Sequence, residues 1–130
     1  MKLQQVNPNY VCQLWEITEP MLNKGIQQDG EYSIDQLKGM LATGERTLLV
    51  ADKDGEIKGA CAVSIALHPN KSVCWIMSLG GSDGVLFLAK ELEKWAKSQG
   101  CTDIKGSTTR GLSNVLKSRC NYDNSRVIVR

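Results

Sequence analysis

The sequence is poor in the residue types that build metal centres, base-stacking surfaces and membrane spans. It has one histidine, and only 5% of its residues are aromatic. One histidine argues against a histidine-based metal site, and the few aromatic residues, not interleaved with the basic ones, give little support for stacking on single-stranded nucleic acid. No apolar run approaches the roughly 18 residues of a membrane span, and the first residues lack the apolar segment of a secretory signal. We therefore expect no metal, no membrane partner and no secretion.

Cysteine is well represented, but not in the pattern of a disulfide or zinc framework. The five cysteines include no Cys-x-x-Cys pair and stand in apolar stretches or at the ends of predicted elements, at positions 12, 61, 74, 101 and 120. This pattern predicts buried free thiols in a reducing compartment. The three tryptophans, Trp15, Trp75 and Trp95, lie on apolar stripes and are predicted to be core residues.

The length and the charge distribution indicate one globular domain with a basic second half. The 130 residues predict a single domain over 1–130, with 42% hydrophobic and 23% charged residues. Residues 1–65 carry six Lys/Arg against nine Asp/Glu, and residues 66–130 carry ten against five. The basic C-terminal third is either a solvated face or a surface that meets an anion or a partner through Arg110, Lys117 and Arg119. The second alternative leaves nucleic acid open as a partner.

The first half of the chain predicts two helices followed by a hairpin. An apolar helical stripe is interrupted only by Pro20. Ser33, with Gln36 three residues later, predicts a helix N-cap with a capping box, and Gly44 ends that helix. An Asp-Lys-Asp-Gly turn joins two strands. The predicted elements are helices over Val11–Lys24 and 33–43, and strands over Arg46–Asp52 and Glu56–Leu67.

The second half predicts a strand, a helix and a strand, followed by a shorter helix and an edge strand. These elements cover Ser72–Leu79, Val85–Gln99, Thr102–Ser107, 110–118 and 124–130. Gly100 is predicted to end the long helix. Meandering strands followed by a strand–helix–strand crossover give an α/β fold, with a mixed, mostly antiparallel sheet and about four helices on its faces.

A glycine-rich turn between the Ser72–Leu79 strand and the long helix is the clearest candidate binding site. Gly80, Gly81 and Gly84 can bring backbone N–H groups and a helix N-terminus to one point, which favours an anion. A second interpretation is that Ser82 or Asp83 only caps the helix. A carboxylate at Asp83 would also oppose a bound phosphate.

This order of elements and several short motifs resemble the GNAT N-acetyltransferase superfamily, and more narrowly the small acetyltransferase-like proteins encoded among bacteriophage virion genes. The resemblance covers nearly the whole chain from about Val11. It rests most on Leu92–Ile104, which is similar to the family's central helix and following strand. The other matching motifs are Tyr32–Asp35, Gly80-Gly81, Trp95-Ala96 with Gly100-Cys101, and Arg110-Gly111.

The resemblance implies a site for acetyl-CoA and two catalytic groups. The cofactor-binding residues would be Ile76, Met77, Ser78, Gly80, Gly81, Ser82 and Gly84. Glu56 and His68 are the candidates for the base. In the family, a tyrosine in the last helix commonly acts as the general acid. Counting back from Tyr122, that position falls on about Lys117, so Lys117 and Tyr122 are the candidates for the acid.

Two functions remain open at this point. The first is a virion-associated or interaction component, located in the virion or the host cytoplasm, with degenerate or absent catalysis and phage virion proteins as partners. This sequence departs from the family's Arg-Gly-x-Gly turn, having Ser78 and Leu79 ahead of the glycines, which favours this first function. The alternative is an acetyl-CoA-dependent N-acetyltransferase acting on a primary amine.

Overall fold

The structure is a computed structural model and describes residues 1–25, 33–82, 84–108 and 128–129. The strands are β1 (Lys2–Val6), β2 (Thr47–Lys53), β3 (Glu56–His68), β4 (Lys71–Gly81), β5 (Asp103–Thr108) and β6 (Ile128–Val129). The α-helices are α1 (Val11–Gly25), α2 (Ile34–Thr43) and α3 (Gly84–Ser98), and a short 3-10 helix spans Pro8–Tyr10.

The strands form one mixed sheet in the order in which they occur along the chain, β1 to β6. The three ladders from β1 to β4 are antiparallel, and those joining β4 to β5 and β5 to β6 are parallel. The predicted α/β class and the mostly antiparallel sheet are confirmed. The described residues contain three α-helices rather than about four, because the helix predicted over 110–118 lies outside them, as does most of the strand predicted over 124–130.

The first strand was not predicted from the sequence. Residues Lys2–Val6 carry two adjacent glutamines and only partly buried apolar side chains, so their pattern does not show a buried face. They form an edge strand because β2 offers its free side, with Leu3 opposite Ala51 and Gln5 opposite Leu49. Tertiary pairing here decides the structure where local propensity does not.

The predicted helix and turn signals are confirmed in detail. The Ser33 hydroxyl accepts from the Gln36 amide at 3.1 Å, and the Gln36 side chain accepts from the Ser33 amide at 2.7 Å, forming a capping box. Gly44 and Gly100 follow the ends of α2 and α3 with φ of +84° and +83°, a conformation that favours glycine.

Two apolar cores lie on the two faces of the sheet. Leu88 and Leu92 of α3 pack with Leu49 and Cys61 on one face. On the other face, helices α1 and α2 pack against the sheet through a second cluster, which includes Trp15, Leu22, Leu37, Leu48 and Ala60. Within the described ranges, no helix has the length and hydropathy of a transmembrane segment.

The tryptophans only partly follow the core prediction. Trp15 is 8% exposed, and Trp95 packs at the edge of the α3 core. Trp75, by contrast, is 36% exposed, and the Lys105 ammonium lies 6.0 Å from the centre of its ring. Cys74 and Ile76 face the α3 core, so the side chain of Trp75 points to the opposite face of β4, where it is not part of the α1 and α2 core; this corrects the prediction for this residue.

Three of the predicted buried thiols are confirmed, and one prediction is wrong. Cys61, Cys74 and Cys101 are buried, whereas Cys12 is exposed. Cys12 follows the buried Val11 in α1, and a step of one residue turns a helix by about 100°, which carries the thiol to the outer face. Cys120 lies outside the described residues, and no group of three or more potential metal ligands occurs within them.

We expect thiol labelling of the folded protein to modify Cys12 rapidly and to spare the three buried cysteines. Burial and, to a smaller extent, the neighbouring Cys101 together raise the pKa of Cys74 to about 12; burial likewise raises the pKa of Cys61. These thiols are therefore neutral, unreactive and inaccessible at pH 7. Mass spectrometry of alkylated peptides before and after denaturation measures this difference, and rapid native modification of Cys61 or Cys74 would contradict the packing of α3 on the sheet.

Candidate functional site

The carboxyl end of β4 lies where β4 and β5 stop pairing with each other. The parallel ladder between β4 and β5 covers Val73–Ile76 and ends where Ile76 meets Gly106. Strand β4 continues for five residues beyond that point to Gly81, still paired with β3, while the last two residues of β5 pair with β6. In α/β sheets, ligands bind in the crevice outside the carboxyl ends of such strands. This end of β4 is therefore the natural position for a ligand.

Helix α3 begins at the same point, directly after the glycine turn. The helix has 15 residues and no acidic side chain in its first turn, so its positive end is not neutralised from within. Backbone N–H groups at such a helix start are suited to a phosphate. Asp83, which precedes the helix, lies outside the described residues.

The glycines of this turn are required by close contacts with β3. Gly81 has a φ of +140°, and a Cβ there would lie 2.6 Å from the Lys58 carbonyl oxygen and the Gly59 Cα. A Cβ on Gly84 would lie 2.7 Å from the Gly59 nitrogen. The start of α3 therefore rests directly on the backbone of β3, and side chains at these positions would push the helix away.

Hydrogen bonds within the protein already use part of the turn. The Ser82 amide donates to the Lys58 carbonyl at 3.0 Å, and the Ser82 hydroxyl approaches the same oxygen at 3.4 Å. The Val85 amide donates to the Ser82 carbonyl at 3.4 Å. An anion would therefore be held by the start of α3 as a whole rather than by the amide of Ser82.

The side chains of Ile76, Met77 and Ser78 face the protein. Ile76 is 5% exposed under α3, and Met77 packs with the α1 and α2 core. The hydroxyl of Ser78, which is 2% exposed, donates to the Leu22 carbonyl of α1 at 2.5 Å. These three residues can offer a ligand only their backbone, as the resemblance also implies.

Gly80 allows helix α1 to pack closely against β4. A Cβ on Gly80 would overlap the Met21 carbonyl oxygen and lie 2.9 Å from the Met21 carbonyl carbon. Together with the bond from Ser78 to Leu22, this contact holds the C-terminal turn of α1 against β4, beside the end of the β4–β5 ladder.

The predicted catalytic candidates do not meet in the described structure. Glu56 is the first residue of β3, with a side chain 71% exposed and an ion pair to Lys58 at 3.0 Å. Its neighbour Gly59, three residues along, pairs with Gly81, so Glu56 stands about 10 Å from the turn along β3. His68 pairs with Lys71 at the other end of the same ladder, about 30 Å from Gly59 along the strand, which separates it from the turn.

Four further predicted residues belong to the C-terminal part of the chain. Arg110, Lys117, Arg119 and Tyr122 lie outside the described residues. Their roles as anion contacts or as the catalytic acid remain predictions.

Lys58 contributes to the site through its carbonyl, which the sequence analysis did not identify. The pairing of β2 with β3 shifts register between Ala51 and Asp52, so that Lys58 is the extra residue between Ile57 and Gly59. A bulge of this kind redirects backbone groups. The available signal was Gly59 within a strand, since a glycine at such a position often marks a close backbone approach.

Comparisons with known proteins place this architecture among acetyltransferase structures. No family model and no curated protein matches the chain by sequence. A crystal structure described as a probable acetyltransferase superposes with a TM-score of 0.70 at 14% identity, covering 95% of this chain and 91% of the other. The ribosomal-protein-alanine N-acetyltransferase from Brucella melitensis biovar Abortus 2308 gives 0.65 at 13% identity, covering 100% and 99%.

A third structure adds a ligand. A protein described as a predicted acetyltransferase from Clostridium acetobutylicum, solved with acetyl-CoA, superposes with a TM-score of 0.64 at 14% identity, covering 95% of this chain and 90% of the other. At these identities the similarity concerns the fold alone, which this chain shares with these acetyltransferase structures. The similarities give no support to the bacteriophage connection that the sequence resemblance implied.

Proposed function

We propose that this protein is an acetyl-CoA-dependent N-acetyltransferase that acts on a primary amine. The observation that carries the proposal is the meeting of three features at one point: the end of the β4–β5 ladder, the continuation of β4 to Gly81, and the start of α3. Acetyl-CoA combines a polyanionic nucleotide with a long amide-bearing arm, and it needs a positive helix end beside an open strand. A neighbour of the same fold was solved with acetyl-CoA, which supports this ligand.

The described residues fit such a ligand in charge and in shape. The first turn of α3 has no acidic side chain, and the Lys58–Glu56 ion pair adds no net charge beside the turn. Gly81 and Gly84 carry no side chains at the points where the turn meets the backbone of β3. These groups would hold the phosphates, and the stretch of β4 beyond Ile76 would run alongside the arm.

Acetyl-CoA supplies the acetyl group as a thioester. In the transfer, the amine nitrogen forms a bond to the thioester carbonyl carbon, the carbon–sulfur bond breaks, and the proton lost by the amine is balanced by one taken up at the thiol. The chain must therefore keep the amine neutral and provide a route for that proton. Glu56, paired with Lys58, stands about 10 Å beyond the turn and away from the stretch of β4 that would follow the arm, so the structure does not place this candidate base beside the thioester.

Direct transfer tests the proposal. The protein is incubated with acetyl-CoA and a peptide with a free N-terminal alanine, since one neighbour is named for that acceptor; the same peptide with an acetylated N-terminus is the control. We expect mass spectrometry to show one added acetyl group on the free peptide only. Mass detection is preferable to thiol reagents because the exposed Cys12 would react with them.

A second candidate is a non-catalytic interaction protein built on the same fold, including the virion component implied by the sequence resemblance. The bond from the Ser82 amide to the Lys58 carbonyl favours it, because this bond removes one amide from a phosphate site. Fold alone does not separate the two functions. Absence of both acetyl transfer and acetyl-CoA binding would favour this second candidate.

A further inference from the structure

A cavity of about 480 Å³ lies on the opposite side of the sheet from α3, near the edge strand. Its walls are β1, the 3-10 helix, the first turn of α1 and the hairpin between β2 and β3. None of the described residues of β4, α3 or the glycine turn lines it, so it is separate from the candidate acetyl-CoA site. Its volume is in the range of small-molecule sites.

The chain forms this cavity by turning sharply after β1. Asn7 caps the 3-10 helix by accepting from the Asn9 amide at 2.9 Å, and the Tyr10 amide donates to the Asn7 carbonyl at 2.9 Å. The chain then enters α1 directly at Val11. This reversal places the start of α1 over the same face of the sheet as Val50, which pairs with Gln4 of β1.

The floor of the cavity is apolar and its rim is polar. The floor comprises the side chains of Val6, Leu14, Val50 and Ile57, of which Val50 is 2% exposed and the other three are half-buried. Glutamine and asparagine amides line the rim. A ligand for this cavity therefore needs an apolar body and a polar end.

The charge that lines the cavity indicates which polar group a ligand should carry. Among the described residues, Asp52 is the only charged side chain that lines it, and it is half-buried. Within the described part of the chain Asp52 forms no salt bridge, although Lys2 is its partner across the β1–β2 ladder. A carboxylate at the edge of an apolar floor that forms no salt bridge with the neighbouring Lys2 can pair with a cationic ligand.

An aromatic ring at the rim also favours a cationic ligand. Tyr10 is 55% exposed although it is large and mostly apolar, and its ring borders the cavity. Aromatic faces attract ammonium groups and also cover apolar bodies. The carboxylate and the ring are independent features that favour one chemistry.

We propose that this cavity binds a small organic cation, an ammonium group carried on an aryl or alkyl body. The ammonium group would bond to the Asp52 carboxylate, and the body would cover Val50 and Ile57 below Tyr10. The proposal does not depend on acetyl transfer, because it concerns binding at a different set of residues.

Three probes with the same body and different charges test the proposal: 2-phenylethylamine, 2-phenylethanol and phenylacetate at pH 7. Amide chemical shifts of the isotope-labelled full chain are followed during titration. We expect saturable binding of the amine, with shifts at Gln4, Gly55 and Ile57, and at least tenfold weaker binding of the alcohol, since a charge-assisted bond is lost. Phenylacetate should not bind.

Matched variants separate the charge of Asp52 from general electrostatics. Asp52→Asn keeps the shape and removes the charge, so its affinity for the amine should fall to that for the alcohol. Asp54→Asn removes an equal charge two residues away, on an exposed residue that does not line the cavity and whose φ of +53° asparagine also adopts, so its affinity should equal that of the wild type. Equal binding of amine and alcohol, an unchanged Asp52→Asn affinity, no saturable shift at millimolar amine, or shifts at Gly80–Val85 instead would each overturn the proposal.

Discussion

Replacing Gly80 with alanine should destabilise the protein by about 3 kcal/mol or more, a larger effect than overpacking usually has. The backbone of Gly80 is ordinary β4 strand, outside the positive-φ region, so alanine fits its conformation. The added methyl group would instead overlap the Met21 carbonyl oxygen, a backbone atom that cannot rotate away. Helix α1 would have to move off β4 and would strain the bond from Ser78 to Leu22.

Urea denaturation of the two proteins measures this effect, and thermal unfolding should show a fall in Tm of roughly 10 °C. Gly39→Ala is the control, because Gly39 lies within α2 with open space around its Cα. Alanine should stabilise that helix by about 0.5–1 kcal/mol. Equal midpoints for Gly80→Ala and the wild type would contradict the packing of α1 on β4.

This contact also marks a limit of sequence-based reasoning at the site. The Gly-Gly pair after an apolar strand predicted a turn, and the turn is there, but the pattern did not reveal why each glycine is needed. Gly80 accommodates the backbone of α1, more than 50 residues away in sequence, and Gly81 accommodates the bulge at Lys58. Such contacts depend on which elements become neighbours, so no local pattern encodes them.

Short sequence patterns were sufficient to predict features that depend only on residues close together in the sequence. The capping box of Ser33 and Gln36 and the left-handed stops at Gly44 and Gly100 were all predicted from spacing alone. Strand β1 was not, because its pairing with β2 rather than its own residues determines it. Helix α1 continues through Pro20 to Gly25, since a proline costs one hydrogen bond and the helix is held by its packing on β4.

Placing a carboxylate at Ser82 should weaken acetyl-CoA binding without weakening the fold. Ser82 is exposed, and the bond that anchors the turn uses its backbone amide, which any residue other than proline keeps. A negative charge at the start of α3 stabilises the helix by about 0.3–1 kcal/mol. The same charge repels bound phosphates by roughly 1.5–3 kcal/mol at distances of about 5–10 Å and an effective dielectric constant of about 20. The substitution should therefore raise the stability of the fold while it lowers the affinity for acetyl-CoA, so a loss of binding cannot be mistaken for a loss of folding.

The most direct measurement is calorimetric titration of acetyl-CoA into the wild type, Ser82→Glu and the neutral control Ser82→Gln. If the start of α3 holds the phosphates, the wild type and Ser82→Gln should bind with similar, at least micromolar affinity. Ser82→Glu should then bind tenfold to hundredfold more weakly, with a Tm equal to or above that of the wild type. No heat from the wild type at millimolar acetyl-CoA, or equal affinities for Ser82→Glu and Ser82→Gln, would contradict an acetyl-CoA site at the end of β4.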